Sequence, residues 1–224
     1  TTAFAGTYVL MISVFNMIGR FFWASTSDYI GRKATYYCFF ILGTMLYLSV
    51  PYFAAMGGTT ALIGFYIATM IIFTMYGGGF ATIPAYLADI FGTMHVGGIH
   101  GRLLTAWSTA GVLGPFAVTY LRDLSRNNAI QDLAAVVDRD AFAAKFGAPI
   151  EQLQNLVETK TVTISKLMEI VPSGTVDPTP SLYNTTMFAM AALLVIALVA
   201  NFLVRPVNPR HYVEKTHPNL APAE

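Results

Sequence analysis

The sequence predicts an all-α membrane protein, a bundle of helices crossing a bilayer, and three observations carry that expectation. Of 224 residues, 55% are hydrophobic and 11% are charged. An average soluble domain carries roughly 25% charged residues, so a water-facing surface is hard to build from this composition. The apolar runs reach the length of about 20 residues that a helix needs to cross the hydrocarbon. They are continuous rather than alternating. That rejects a β-barrel and leaves helices, which satisfy their own backbone groups inside lipid.

The same composition excludes other classes. A net charge of +1 gives no global field for nucleic acid. The single cysteine, Cys38, rules out an internal disulfide and any multi-cysteine metal site. His95, His100, His211 and His217 are scattered without metal-ligand spacing. No cofactor, no metal and no nucleic-acid partner are implied, and no Ser-His-Asp or Cys-His constellation points to an enzyme. The lipid bilayer is the partner that the composition demands. No stretch has the form of a secretory signal peptide. The chain starts with Thr1-Thr2 and enters an apolar run at once, which suggests a fragment whose upstream part is missing.

Five spanning segments are expected, near residues 3–22, 34–54, 61–87, 103–121 and 183–204. The third is long enough to tilt. The fourth, "RLLTAWSTAGVLGPFAVTYL", is the least hydrophobic; Thr105, Ser108, Thr109, Gly111, Gly114 and Pro115 suit a helix buried in a bundle or lining a cavity. The charge of the first 88 residues gathers in "GRFFWASTSDYIGRK", Gly19 to Lys33. Positive charge near helix ends marks the cytoplasmic side. The loop with Arg20, Arg32 and Lys33 is therefore placed inside and the "GGTT" turn at Gly57–Thr60 outside. The link at 88–102 with Arg102 falls inside, and so does the tail with Arg205, Arg210 and Lys215. The domain division is 1–122 for four spanning helices, 123–182 for an extracytoplasmic loop, 183–204 for the last span and 205–224 for a cytoplasmic tail.

Segment 123–181 differs from the rest. "DRDAFAAKFG" predicts a short helix capped by Asp138 or Asp140 and ended by Gly147. Ile150, Leu153, Leu156 and Val157 have helical spacing. "VPSGTVDPTPS" reads as a linker. Together they predict a small helical insertion outside the membrane, serving as a lid, a partner site or a spacer.

Several polar residues stand out in apolar surroundings. Trp107, beside Thr105, Ser108 and Thr109, is either packing or an aromatic wall with an N–H donor for a carboxylate. Tyr76 precedes Gly77-Gly78-Gly79, which permit close helix approach or local unwinding at a substrate site. Asn16 lies three residues from Ser13 on one face, with Tyr8 further outward; a buried Asn needs a partner helix or a ligand. Asp28 and Gly31 suggest a tight, charged turn. Arg20, Asp28, Arg32, Asp89 and Arg102 all fall on the cytoplasmic side, where they suggest a charge latch between helix ends.

"WASTSDYIGRK" resembles the signature loop of the major facilitator superfamily, roughly Gly-x-Leu-x-Asp-x-x-Gly-Arg-Arg/Lys. Asp28, Gly31, Arg32 and Lys33 match, while Ala24 and Thr26 depart from the pattern. The stretch "YGGGFATIPAYLADIFGTMHVGGIHGRLLTAWSTAGVLGP", Tyr76 to Pro115, resembles helices 10 and 11 of the oxalate–formate antiporter family. The resemblance implies a partial major-facilitator bundle equivalent to helices 8 to 12, completed by a missing N-terminal half. It further implies a secondary transporter of small organic anions in the cell's inner membrane, working by alternating access around a midplane site. Tyr8, Asn16, Tyr76, Trp107 and Ser108 are the substrate-binding candidates. The family's best-known oxalate carrier has cationic residues on helices 8 and 11. Here Arg20 is assigned to the cytoplasmic end and Ala110 follows Trp107 by one turn, so a monocarboxylate is expected ahead of oxalate. The competing reading is a membrane scaffold or receptor-like subunit whose extracytoplasmic segment binds a partner.

Overall fold

The computed structural model describes residues 2–208. The tail expected at 205–224, with Arg210 and Lys215, thus lies outside the described residues from residue 209 onward. Eight α-helices follow one another among the described residues: α1 (Thr2–Ile30), α2 (Arg32–Met56), α3 (Gly58–Phe91), α4 (Val96–Val136), α5 (Arg139–Phe146), α6 (Leu153–Glu158), α7 (Ile164–Met168) and α8 (Asn184–Leu203). Short 3-10 turns occupy Ile150–Gln152 and Thr179–Ser181. No strand occurs among these residues.

Four stretches are long and apolar enough to cross a membrane: Gly6–Ile30, Arg32–Met56, Gly58–Phe91 and Thr179–Leu203. The protein is an all-α, multi-pass membrane bundle. The segment expected at 103–121 is helical too, but it falls short in hydropathy and belongs to a longer helix. That helix, α4, runs 41 residues without a break and passes the expected boundary at 122. The reason is local. "RDLSRNNAIQDLAAV" contains no proline and no glycine, and it places Ala129, Ile130, Leu133 and Ala134 on one apolar stripe.

The helix breaks are set by glycine. Gly31 separates α1 from α2 with φ of 86°, and Gly57 separates α2 from α3 with φ of 64°, a region that costs other residues steric strain. Asp28 therefore sits in the last turn of α1, and the turn expected around it shrinks to one residue.

The chain forms two compact units. The first comprises Thr1–Leu46, Tyr66–Val112 and Ala191–Glu224. Its core gathers Tyr36, Phe39, Met75, Tyr86 and Ile90, with Trp23, Ile83 and Val204 packed around them. Within it α1 and α3 approach closely. A Cβ added to Gly19 would lie 2.1 Å from the Thr74 carbonyl oxygen, and one added to Gly77 would lie 2.1 Å from the Asn16 carbonyl oxygen. Gly78 faces the Trp23 side chain in the same way. The glycines remain helical, so they serve close packing and not unwinding. Trp23 Nε1–H donates to Thr74 Oγ1 at 3.2 Å across this crossing.

The second unit comprises Tyr47–Phe65 and Leu113–Met190. Its core joins the end of α4 (Ala129, Ile130, Leu133) to Phe142 of α5, Ile164 and Leu167 of α7, and to Val162 and Leu182. Asp138 caps α5 by accepting from the Asp140 and Ala141 amides, and Gly147 ends it with φ of 69°. That is the helix and the pair of boundary residues expected from the sequence.

Candidate functional site

Arg20 is the first residue whose place changes. The sequence puts the end of the first span near residue 22, but α1 continues to Ile30. At a rise of 1.5 Å per residue, Arg20 stands about 15 Å inside the helix end. It is therefore not a helix-end residue, as the expected end of the span near residue 22 would have made it. The polar run Ser25–Asp28 looked like a loop, yet Thr26 and Ser27 return their hydroxyl protons to the carbonyls of Phe22 and Ala24 and the helix carries on. Arg20 Nε–H donates to Asn16 Oδ1 at 3.3 Å, and no carboxylate pairs with it among the described residues.

Asn16 touches Gly77 through its carbonyl, so Asn16 and Tyr76 share one level of the bundle. Tyr76 meets Phe80 edge-on at 5.2 Å and Trp107 at 6.2 Å, and Phe80 lies 3.8 Å from Trp107 between ring centroids. Four candidates thus come to one region: Arg20, Asn16, Tyr76 and Trp107. Phe80, which the sequence reading passed over, joins Tyr76 to Trp107; its one-turn spacing from Tyr76 was the available signal. Tyr8 lies two turns outward and packs edge-on against Tyr66 at 4.9 Å. Ser108 gives its hydroxyl proton to the Leu104 carbonyl at 3.1 Å and stands on the exposed side of α4.

At the Gly31 end of the first unit the geometry differs from a five-residue charge latch. Asp28 pairs with Arg32 one turn on, and Arg32 also donates to Ser27 Oγ. Asp89 and Arg102 are exposed and form no ion pair among the described residues. Lys33 instead reaches the open end of α8, donating to the Val204 carbonyl at 2.7 Å and the Phe202 carbonyl at 3.3 Å. A cation there satisfies orphan carbonyls and complements the helix dipole. Asn201 closes the network: its Nδ2 donates to the Lys33 carbonyl at 3.3 Å, and Tyr86 O–H donates to its Oδ1 at 2.7 Å. The Val207 amide adds a bond to the Ile90 carbonyl at 2.9 Å. The start of α2 and the ends of α3 and α8 are thereby tied together, around a cleft of about 460 Å³ lined by Arg32, Lys33, Tyr37, Tyr86 and Asp89.

No three His, Cys, Asp or Glu side chains gather into a metal-binding group among the described residues. The arrangement combines one guanidinium held by the Asn16 side-chain oxygen with an aromatic group of Tyr76, Phe80 and Trp107.

The chain is similar to an oxalate:formate antiporter of Oxalobacter formigenes, 31% identical over 113 residues. The match takes in 49% of this chain and 26% of that protein, so the chain spans about a quarter of its relative's length. No protein-family model matches the chain, and no solved structure matches it.

Proposed function

We propose that this chain forms part of a secondary transporter of small organic anions, working by alternating access and favouring monocarboxylates over oxalate. A second set of helices completes the path. The protein resides in the cell's inner membrane, with the Gly31 helix ends at the cytoplasm and residues 123–182 outside. It performs translocation and not chemistry.

The observation that carries this reading is Arg20. A charged side chain at membrane depth costs about 2.5–3.5 kcal/mol on insertion scales, and this one has no acidic partner among the described residues. An anion supplies the missing charge. Asn16, Tyr76 and Trp107 add donors at the same region, and Phe80 packs against Trp107 as an aromatic face. The known relative's name pairs oxalate with formate, a dianion with a monoanion. One guanidinium neutralises one carboxylate. Arg32 and Lys33 are engaged at the helix ends, and Arg102 stands near the start of α4. A dianion would leave its second carboxylate unpaired in these helices, at a cost of several kcal/mol.

The test is exchange in proteoliposomes of the full-length protein with labelled formate, lactate and oxalate. Monocarboxylate exchange should dominate, Arg20→Gln should abolish it, and Arg20→Lys should retain part of it. Tight oxalate exchange with weak formate exchange overturns the preference. Unchanged transport by Arg20→Gln overturns the site.

A further inference from the structure

We infer that the second unit carries a separate binding site for a compact oxyanion, a carboxylate or phosphate group held between Arg126 and Lys160. The site is a cleft of about 250 Å³ lined by Arg126, Lys160, Thr163, Ser165 and Thr179 over an apolar floor that includes Ile130 and Leu182. Drug-sized ligands fill pockets of roughly 300–1,000 Å³, so this one fits a smaller molecule. Its lining contains two cations, three hydroxyls and no carboxylate. The inference is independent of transport.

Three further observations converge on it. Arg126 Nε is shielded from solvent and has no hydrogen-bond partner, although its Nη2 reaches the neighbouring Asn127 Oδ1 at 3.5 Å. A buried donor of that kind is rare in native proteins and calls for an acceptor. No carboxylate of this unit pairs with either cation: Asp123, Asp132 and Glu158 form no ion pair among the described residues, and three other acids have partners of their own. Glu169 pairs with Lys145 at 2.5 Å, Glu151 with Arg139 at 3.7 Å, and Asp177 accepts from the Thr179 amide at 2.9 Å. Neither Arg126 nor Lys160 therefore has an ion-pair partner among the described residues.

The third observation is backbone. Lys160 holds φ of 57°, the positive value found at a non-glycine residue among those described. It ends α6, where its amide donates to the Val157 carbonyl and the Thr161 and Val162 amides both donate to the Leu156 carbonyl. At the equivalent position after α5 the chain uses Gly147. A lysine there is strained where a glycine would not be, and such strain persists where the side chain has a use. Here the use is a second positive charge at the mouth of the Arg126 cleft.

The experiment is calorimetric titration of the full chain in detergent at low ionic strength with sodium formate, sodium oxalate and inorganic phosphate. At least one should bind saturably. Arg126→Gln and Lys160→Gln should each weaken it by about tenfold or more, the scale of one charge-assisted hydrogen bond. Lys160→Gly separates function from folding. It should keep or raise the unfolding temperature, because the strain is gone, while losing the same affinity. Preference for phosphate or for the carboxylates identifies the source of the oxyanion, and either supports the site. No saturable binding by any of the three, or binding unchanged in both Lys160 variants, overturns it. Because Lys160→Gly decides the matter alone, failure of Arg126→Gln to fold does not rescue the inference.

Discussion

Phe21 in α1 is 72% exposed and Phe202 in α8 is 70% exposed, whereas Phe142 and Leu167 of the second unit are 0% exposed. The same kind of side chain is turned outward in one region and sealed in the other. In the spanning helices the solvent is hydrocarbon, so apolar burial between helices gains little and contact is won by close fit, hydrogen bonds and capped ends. The α5–α7 region instead buries its apolar side chains, the arrangement that the hydrophobic effect favours. Apolar side chains there assemble a core, and helices of five to eight residues hold only because that core holds them. The difference shows which forces each region answers to.

The largest test of that contrast is Phe142→Ala, which should destabilise the second unit by about 3–5 kcal/mol, the usual cost of emptying an aromatic core position. Phe21→Ala should cost no more than about 0.5 kcal/mol, as for a surface position. Thermal unfolding of both variants in detergent, with limited proteolysis between residues 137 and 182, measures the gap. Equal effects would erase the distinction between the two regions.

Gly19→Leu sharpens the other side of the comparison. Its Cβ alone would meet backbone of Thr74, so α1 and α3 must separate, losing the Trp23–Thr74 bond. The expected cost is at least the roughly 1–3 kcal/mol of overpacking, read as a fall in folded yield and unfolding temperature. A neutral result would show that the crossing is looser than its geometry.

The smallest effect is electrostatic. A hydrogen bond from Lys145, reinforced by its charge, holds the Glu169 carboxyl below its ordinary range. A depressed folded value means that the pair stabilises the unit above the unfolded carboxyl pKa of about 4.3 and loses that contribution as pH falls through the folded value. Wild type should therefore unfold slightly above Glu169→Gln at pH 7, with the two curves converging below about pH 4. The pair is solvent-exposed, so the gap is small. A gap that persists in acid would assign the stabilisation to packing.

The helices and their punctuation were legible because their signals are local. Asp138 and Gly147 bound α5 within one helix turn on either side, Gly31 and Gly57 break the chain where positive φ is required, and apolar runs announce the spans. Two local signals misled. Ser25–Asp28 imitates a loop while its hydroxyls bond back into the helix, and the shift in composition at residue 122 does not mark a helix end.

What the sequence by itself determined is thus the all-α membrane class, the breaks between its first three helices and the capped helix of the insertion. Each is a decision made by neighbouring residues and the medium around them. The tertiary structure alone decided that Arg20 stands inside α1 bonded to Asn16 and that Gly77 receives the backbone of α1. It alone decided that Lys33 caps a helix ending 170 positions away and that Arg126 and Lys160 line one cleft. Lys33 and Val204 are 171 residues apart, and Trp23 and Thr74 are 51 apart. No periodicity within one helix encodes such pairings; they follow from which faces fit closely enough to exclude everything else.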